Sequence, residues 1–218
     1  MPEPITLIGM GSGVAAVGMH LARRYFEVAK EIVDVVLASI MLVVLSPLLL
    51  ACAVIIKLSG RGPVIFTQVR AGKDGRPFKM YKLRSMRVDA EAATGAVWAA
   101  EQDPRIMPAC RWMRRSHVDE LPQLINMIKG DMSLVGPRPE RVEILDELAK
   151  VYPDIYKRLK VRPGITGLAQ IQLGYDTTVE AYRRKLEADL EYIDTRRWSN
   201  ELRILAATAA KVVDTSAH

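Results

Sequence analysis

Cysteine is almost absent from this chain. Cys52 and Cys110 stand alone, without Cys-x-x-Cys partners, so neither a disulfide framework nor a zinc site follows, and a reducing compartment is the plain inference. Aromatic residues are sparse at 6%, and no RNA-recognition signature, zinc-finger spacing or helix-turn-helix pattern is present. A glycine is missing where a dinucleotide-binding turn needs it. Gly9, Gly11 and Gly13 follow a short β-like run, but Val14 occupies the last position of G-x-G-x-x-G, and no βαβ unit follows. The extreme N-terminus carries Glu3 and no Lys or Arg, which argues against a cleaved signal peptide. Residues 1–22 read as an apolar lead-in, membrane-associated or mobile.

What the chain does have is one long apolar run, residues 32–56, IVDVVLASIMLVVLSPLLLACAVII. Its length suits a membrane segment. Asp34 interrupts it, and Ser46-Pro47 lies at its middle. Proline inside a helix removes a backbone hydrogen bond and clashes with the preceding turn, so a kink is expected there. Ser46 can bond back to a carbonyl that the kink frees. Each half is then too short to cross an apolar layer of ~30 Å. Lys and Arg flank both ends: Arg23, Arg24 and Lys30 before, Lys57, Arg61, Arg70 and Lys73 after. Basic residues mark the cytoplasmic side, so a hairpin entering and leaving on one face satisfies both flanks. A single kinked helix with ends on opposite sides is the other topology the run allows.

The 218 residues leave room for one further domain, and the formal charge is +6. Beside a membrane segment, that charge suits an anionic leaflet or a phosphorylated substrate better than nucleic acid. Residues 59–63, SGRGP, form a turn on composition. A short strand over 64–66, a turn on Asp74-Gly75 and a strand over 78–84 make a β-hairpin. The second strand alternates apolar and basic, with Lys79, or Lys82 and Arg84, on its basic face according to register. Residues 89–103 read as a polar, alanine-rich loop or short helix. Residues 106–115 put Trp112 and Met113 among arginines, which suits a helix in the headgroup region or an ordinary surface helix.

Residues 116–130 have two readings. The spacing from Ser116 to Asp119 is that of a capping box, with Pro122 in the first turn and Gly130 at the end. The same acidic pair, Asp119-Glu120, can also serve chemistry. In 133–139, SLVGPRP, an arginine lies pinned between prolines and is stiffened for a bidentate grip on phosphate, or forms a rigid turn ahead of a helix over 140–159. Residues 161–167, VRPGITG, repeat the device, adding two glycines and a threonine hydroxyl able to approach an anion. An amphipathic helix over 180–193 carries Asp189 and Tyr192, on solvated surface or facing a site. An apolar helix over 202–213 closes the chain.

Taken in order, the strings FTQVRAGKDGRPFKMYKLRSM, RRSHVDELPQLINMIKGDMSLVGPRP and VRPGITGLAQ after a broken membrane run resemble the bacterial sugar transferases, the monotopic phosphoglycosyl transferases that act on polyprenyl phosphates. The resemblance covers residues 30–213. It implies an α+β fold, mainly α: a Gly-rich lead-in over 1–24, a re-entrant membrane helix hairpin over 25–58 broken at Ser46-Pro47, and a cytoplasmic catalytic domain over 59–218. That domain is expected to be small and mixed, with a short β-hairpin and interfacial amphipathic helices, the compact form without a multi-span N-terminal domain. The implied reaction carries a phosphosugar from a UDP-sugar to undecaprenyl phosphate at the cytoplasmic face of the bacterial inner membrane. UMP leaves, Mg²⁺ is required, and a homodimer is left open. Asp119 and Glu120 become the catalytic pair and the metal ligands, with Asp119 the nucleophile of a ping-pong mechanism. Lys82, Arg114, Arg138 and Arg162 fall on the family's basic, phosphate-binding positions, and arginines and metal together are expected to favour the ionised Asp119. Residues 171–182, IQLGYDTTVEAY, lie where members differ and are expected to touch the sugar.

Overall fold

A computed structural model of the chain describes residues 8–88, 90, 103–173 and 179–213. The start of the lead-in (1–7), nearly all of the expected 89–103 loop and the middle of the expected sugar-contacting stretch (174–178) lie outside the described residues. From residue 8 the backbone is helical, and helix α1 runs Ile8–Val44. The glycine triplet therefore sits within a helix, not at a βα turn.

Helix α2, Ser46–Ser59, follows at once, bent from α1 by 60°. The cause is local. Pro47 has no N–H to give the carbonyl of Val43, and the Ser46 hydroxyl donates to that carbonyl instead, at 2.7 Å. Among the described residues no single helix is long and apolar enough to cross a membrane, whereas the bent pair passes by length and composition together. Ile32, Val36, Ile40, Val43, Leu50 and Val54 all present exposed apolar side chains, more contiguous apolar surface than a water-facing monomer usually shows.

The buried side of α1 is polar where a membrane helix would be apolar. Lys30 Nζ lies 3.1 Å from Asp34 Oδ2 and 2.9 Å from Glu201 Oε2. Ser133 donates to Asp34 at 2.6 Å, and the Tyr192 hydroxyl bonds Glu201 at 2.7 Å. The acid that interrupts the apolar run is thus an anchor to the rest of the protein. Tyr192, a candidate for solvated surface or a site, is buried in this network.

Strands β1, Ile65–Ala71, and β2, Pro77–Leu83, form an antiparallel hairpin around the Asp74-Gly75 turn. Both turn residues adopt positive φ, 54° and 76°, which glycine and aspartate tolerate best. Helix α3, Arg111–Arg115, packs through Met113 with Cys52 and Ile56 of α2; it is a single short turn, with Trp112 exposed. Helix α4 is Gln123–Ile128. The Asn126 amide locks it to β2, accepting from the Tyr81 N–H at 3.0 Å and donating to the Lys79 carbonyl at 2.7 Å. The helix expected over 140–159 divides into α5, Val142–Ala149, and a 3₁₀ stretch, Pro153–Lys160, because Pro153 cannot continue the ladder of α5. Helix α6 is Leu168–Gln172, α7 is Val179–Asp194 and α8 is Trp198–Val213.

A second sheet was not foreseen. Strands β3, Ser133–Val135, and β4, Gly164–Thr166, pair in parallel. A Cβ on Gly136 would lie 2.5 Å from the Arg162 carbonyl oxygen, and one on Gly167 would lie 2.3 Å from that of Gly136. The two glycines read as room for an anion, Gly164 and Gly167, are both filled by the backbone of Gly136. The Thr166 hydroxyl, read the same way, meets Thr208 Oγ1 at 2.7 Å.

Candidate active site

The acidic pair sits on a 3₁₀ turn, Val118–Glu120, entered through His117 in the left-handed region. No side chain caps this turn or α4, so the capping-box spacing is not used as a cap. Instead both acids are buried, Asp119 at 5% and Glu120 at 8% exposure. Burying two adjacent carboxylates is unfavourable unless cations meet them.

Glu120 is met fully. Its Oε1 receives Lys82 Nζ at 2.8 Å and Arg138 Nη2 at 2.6 Å, and its Oε2 receives Arg138 Nη1 at 3.3 Å. Strand β2 explains how Lys82 arrives there. One face of this unbroken strand carries Phe78, Met80 and Lys82 in turn, and Arg84 follows just past its end. It therefore passes from core to site partway along, with Met80 in the central apolar cluster and Lys82 at the carboxylate. Lys79, on the other face, is exposed. Arg84 does not reach the acids; its guanidinium donates to the carbonyls of Arg61 and Gly60 at 2.7 and 2.9 Å, tying the end of α2 to β2.

Asp119 is met hardly at all. Among the described residues its one hydrogen bond comes from Ser85 Oγ, at 3.4 Å. The two neighbours consequently titrate in opposite senses. Burial pushes Glu120 up, but Arg138 and Lys82, by charge and hydrogen bonding, outweigh it and hold the carboxyl well below the usual range. Asp119 is raised, by burial first and by the charge of Glu120 second, against the pull of Lys82, Arg114 and His117. The cations act on Asp119 in the expected direction but lose to desolvation.

Of the four basic positions, the structure brings Lys82 and Arg138 to the acids and places Arg114 close enough for its charge to act on Asp119. It gives Arg162 another partner, Glu31 of α1 at 2.7 Å. Four residues at or around the site were missed. Arg70 of β1 lines the groove beside Lys82 and Arg138; it was read only as a membrane flank, and its basic charge was the available signal. Gln123 lines the same groove. Ser85 faces Asp119. Arg158, buried, donates to the Arg138 carbonyl at 3.0 Å while gripping Asp189 at 2.6 and 3.0 Å. Asp189 therefore faces the site only at one remove, and no local pattern marks that link.

The donor chemistry suits a hard divalent cation. Asp119 offers a buried carboxylate that the protein leaves almost unpartnered, with Glu120 beside it. Among the described residues no group of three or more His, Cys, Asp or Glu gathers here. Mg²⁺, which usually binds one or two carboxylates and completes its shell with water and substrate phosphate, fits such a set.

Comparison with known proteins identifies a family for the chain. The family described as bacterial sugar transferase matches residues 25–215. The chain is 44% identical over 172 residues to the UDP-glucose:undecaprenyl-phosphate glucose-1-phosphate transferase of Escherichia coli (strain K12), covering 78% of this chain and 36% of that protein. It is 38% identical over 200 residues to the Caulobacter vibrioides protein of the same name, covering 91% and 74%. The UDP-N-acetylgalactosamine-undecaprenyl-phosphate N-acetylgalactosaminephosphotransferase of Aeromonas hydrophila is 42% identical over 176 residues, covering 81% and 41%. The chain thus spans well under two thirds of the Escherichia and Aeromonas relatives.

Proposed function

This chain belongs to the bacterial sugar transferase family, and from that premise we propose that it transfers a phosphosugar from a UDP-sugar to undecaprenyl phosphate, releasing UMP. The relatives' names support the donor and acceptor classes. The observation that carries the mechanism is the contrast within the acidic pair: Glu120 is saturated by Lys82 and Arg138, and Asp119 is left open.

In this reading an ionised Asp119 oxygen attacks the phosphorus that bears the sugar. A phosphorus–oxygen bond to Asp119 forms, and the bond to the bridging oxygen breaks. UMP departs with that oxygen and its electron pair. A phosphate oxygen of undecaprenyl phosphate then attacks the same phosphorus, and Asp119 leaves as carboxylate. The bond from sugar to oxygen is never broken, so anomeric configuration is retained. Lys82 and Arg138 stay fixed by Glu120 and present positive charge where phosphate oxygens gain it. Mg²⁺, held by Asp119 with Glu120 nearby, would neutralise diphosphate charge as the carboxylate approaches.

The exposed apolar faces of α1 and α2 support a seat in the bacterial inner membrane, with the rest of the chain on the cytoplasmic side. The bend at Ser46-Pro47 supports a re-entrant course, which lets a lipid phosphate reach the site from headgroup depth. Without acceptor, the protein should release about one equivalent of UMP and retain labelled phosphosugar, the signature of a covalent intermediate. Asp119→Asn should lose more than about a thousandfold in turnover while remaining in the membrane fraction. Near-normal turnover of that variant would end the mechanism.

A further inference from the structure

Within four residues at the end of β2, three side chains reach three different places. Lys82 pairs with Glu120, Ser85 donates to Asp119, and Arg84, between them, turns to the chain leaving α2. Arg84 is 5% exposed, and among the described residues no carboxylate pairs with it. Burying a guanidinium without a counter-charge is costly. Here the compensation is backbone: Nη1 donates to the Arg61 carbonyl at 2.7 Å and Nη2 to that of Gly60 at 2.9 Å. Lys57 takes the next carbonyl, that of Gly62, at 3.2 Å. The three carbonyls after α2 are thus held by cations, just where a helix leaves partial negative charge. Gly62 is shaped for this joint. Its φ is 120°, and a Cβ on it would lie 2.0 Å from Arg84 Nη1, so any other residue there displaces the guanidinium.

The strand side of the joint is fixed independently. The Arg84 N–H donates to the Val64 carbonyl at 2.8 Å, continuing the β1–β2 ladder, and Lys82 is locked by Glu120 at 2.8 Å. The α2 side has less to hold it. Cys52 and Ile56 pack in an apolar cluster with Leu83, Met107, Cys110 and Met113, and apolar contact has no direction. Such contact lets a helix slide or turn, whereas a fork of two charge-assisted hydrogen bonds fixes both height and rotation.

We propose that Arg84 is a positioning residue for the acceptor step: it sets the height of Lys82 and Asp119 relative to the α2 arm, and hence to a phosphate at the head of a polyprenyl lipid. The proposal rests on the transferase reading with its membrane hairpin, and deepens it. A nucleotide sugar arrives from water and finds the site at any height. A lipid phosphate is confined to headgroup depth and meets the site only when the hairpin holds it there. Arg84 touches neither substrate; it acts through β2. Loosening the joint should therefore separate the two half-reactions.

The test uses the full chain in phospholipid nanodiscs, with Arg84→Lys, Gly62→Ala and the double variant. Lysine keeps the charge but not the fork, and the alanine methyl displaces the fork but keeps its charge. Gly62 lies in an exposed turn, so its variant tests the joint even if Arg84→Lys does not fold. In each, acceptor-free UMP release and its KM for UDP-sugar should stay within about twofold, while the KM for undecaprenyl phosphate rises about tenfold, the effect of misplacement alone. The double variant should show the same rise, because both changes undo one joint; a rise of about a hundredfold would mean independent effects and overturn the proposal. Slowing of both half-reactions alike, or loss of the folded state in both single variants, marks a structural role and overturns it, as does an unchanged KM for the lipid. If no UDP-sugar yields UMP even from the unsubstituted protein, the transferase reading falls, and undecaprenyl phosphate alone decides the joint. A rise in Tm that needs about ten times more of this lipid in the variants upholds the coupling. An equal rise, or none, overturns it.

Discussion

Two turns in this protein are built alike and used differently. Pro137-Arg138-Pro139 and Arg162-Pro163 each set an arginine beside proline, and their backbones are joined: the Ser133 N–H reaches the Pro163 carbonyl at 2.8 Å, Gly136 N–H that of Thr166 at 2.9 Å, and Gly164 N–H that of Pro137 at 2.9 Å. Yet Arg138 grips Glu120, whereas Arg162 pairs with Glu31 on α1. Proline stiffens a backbone but does not aim a side chain. The aim comes from which carboxylate the fold brings within reach.

Breaking the first turn should have the largest effect. Arg138→Met should lower kcat/KM about a hundredfold to a thousandfold, as loss of a group that stabilises developing phosphate charge does; steady-state UMP release measures it. The same variant has a pH signature. Glu120 is depressed in the fold, so its stabilising contribution is complete above the unfolded carboxylate value of 4.5 and lost as pH falls through the folded value. Removing Arg138 raises that folded value, so acid unfolding of the variant should begin at a higher pH than in the unsubstituted protein.

Separating the two turns comes next. Gly136→Ala would put a Cβ 2.5 Å from the Arg162 carbonyl oxygen and 2.9 Å from the Gly164 nitrogen. It should destabilise the protein by about 1–3 kcal/mol and lower turnover with it, seen as a reduced midpoint in chemical denaturation. Loosening the first turn from behind should cost less. Arg158→Lys keeps a charge for Asp189 but cannot also hold the Arg138 carbonyl as the guanidinium fork does. We expect kcat to fall about tenfold with KM for UDP-sugar little changed, a loss of positioning and not of binding. The smallest effect belongs to the second turn. Its arginine joins a half-exposed carboxylate, a class of pair worth about 0–1 kcal/mol, so Arg162→Met should keep activity within about twofold. A loss as large as that of Arg138→Met would erase the contrast and restore Arg162 to the phosphate site.

The legible parts of the fold were those with local causes. Pro47 breaks the apolar run wherever that run packs, Asp74-Gly75 turns the hairpin, and the period of 180–193 makes a helix. Asp34 shows the limit. In the sequence it interrupts a membrane run; in the fold it meets Lys30 one turn away and Ser133 nearly a hundred residues on. The site was half legible for the same reason. Asp119, Glu120, Lys82 and Arg138 stood out through a family pattern, whereas Arg70, Gln123, Ser85 and Arg158 come close to the site through folding that no spacing encodes. Glycines 164 and 167 were visible as close-approach residues, but the approaching group is the backbone of Gly136 and not an anion.

By itself the sequence determined the bend, the hairpin, the helix periods and the residue types a phosphoryl transfer needs, because each depends on neighbours within a few positions. Only the tertiary structure decided that Glu120 would be saturated and Asp119 left open, although they adjoin in the chain. A carboxylate's chemistry is set by burial and by the charges around it, and Lys82 and Arg138 reach Glu120 from 38 and 18 residues away. That pairing exists only once β2 and the turn after β3 converge on the same acid.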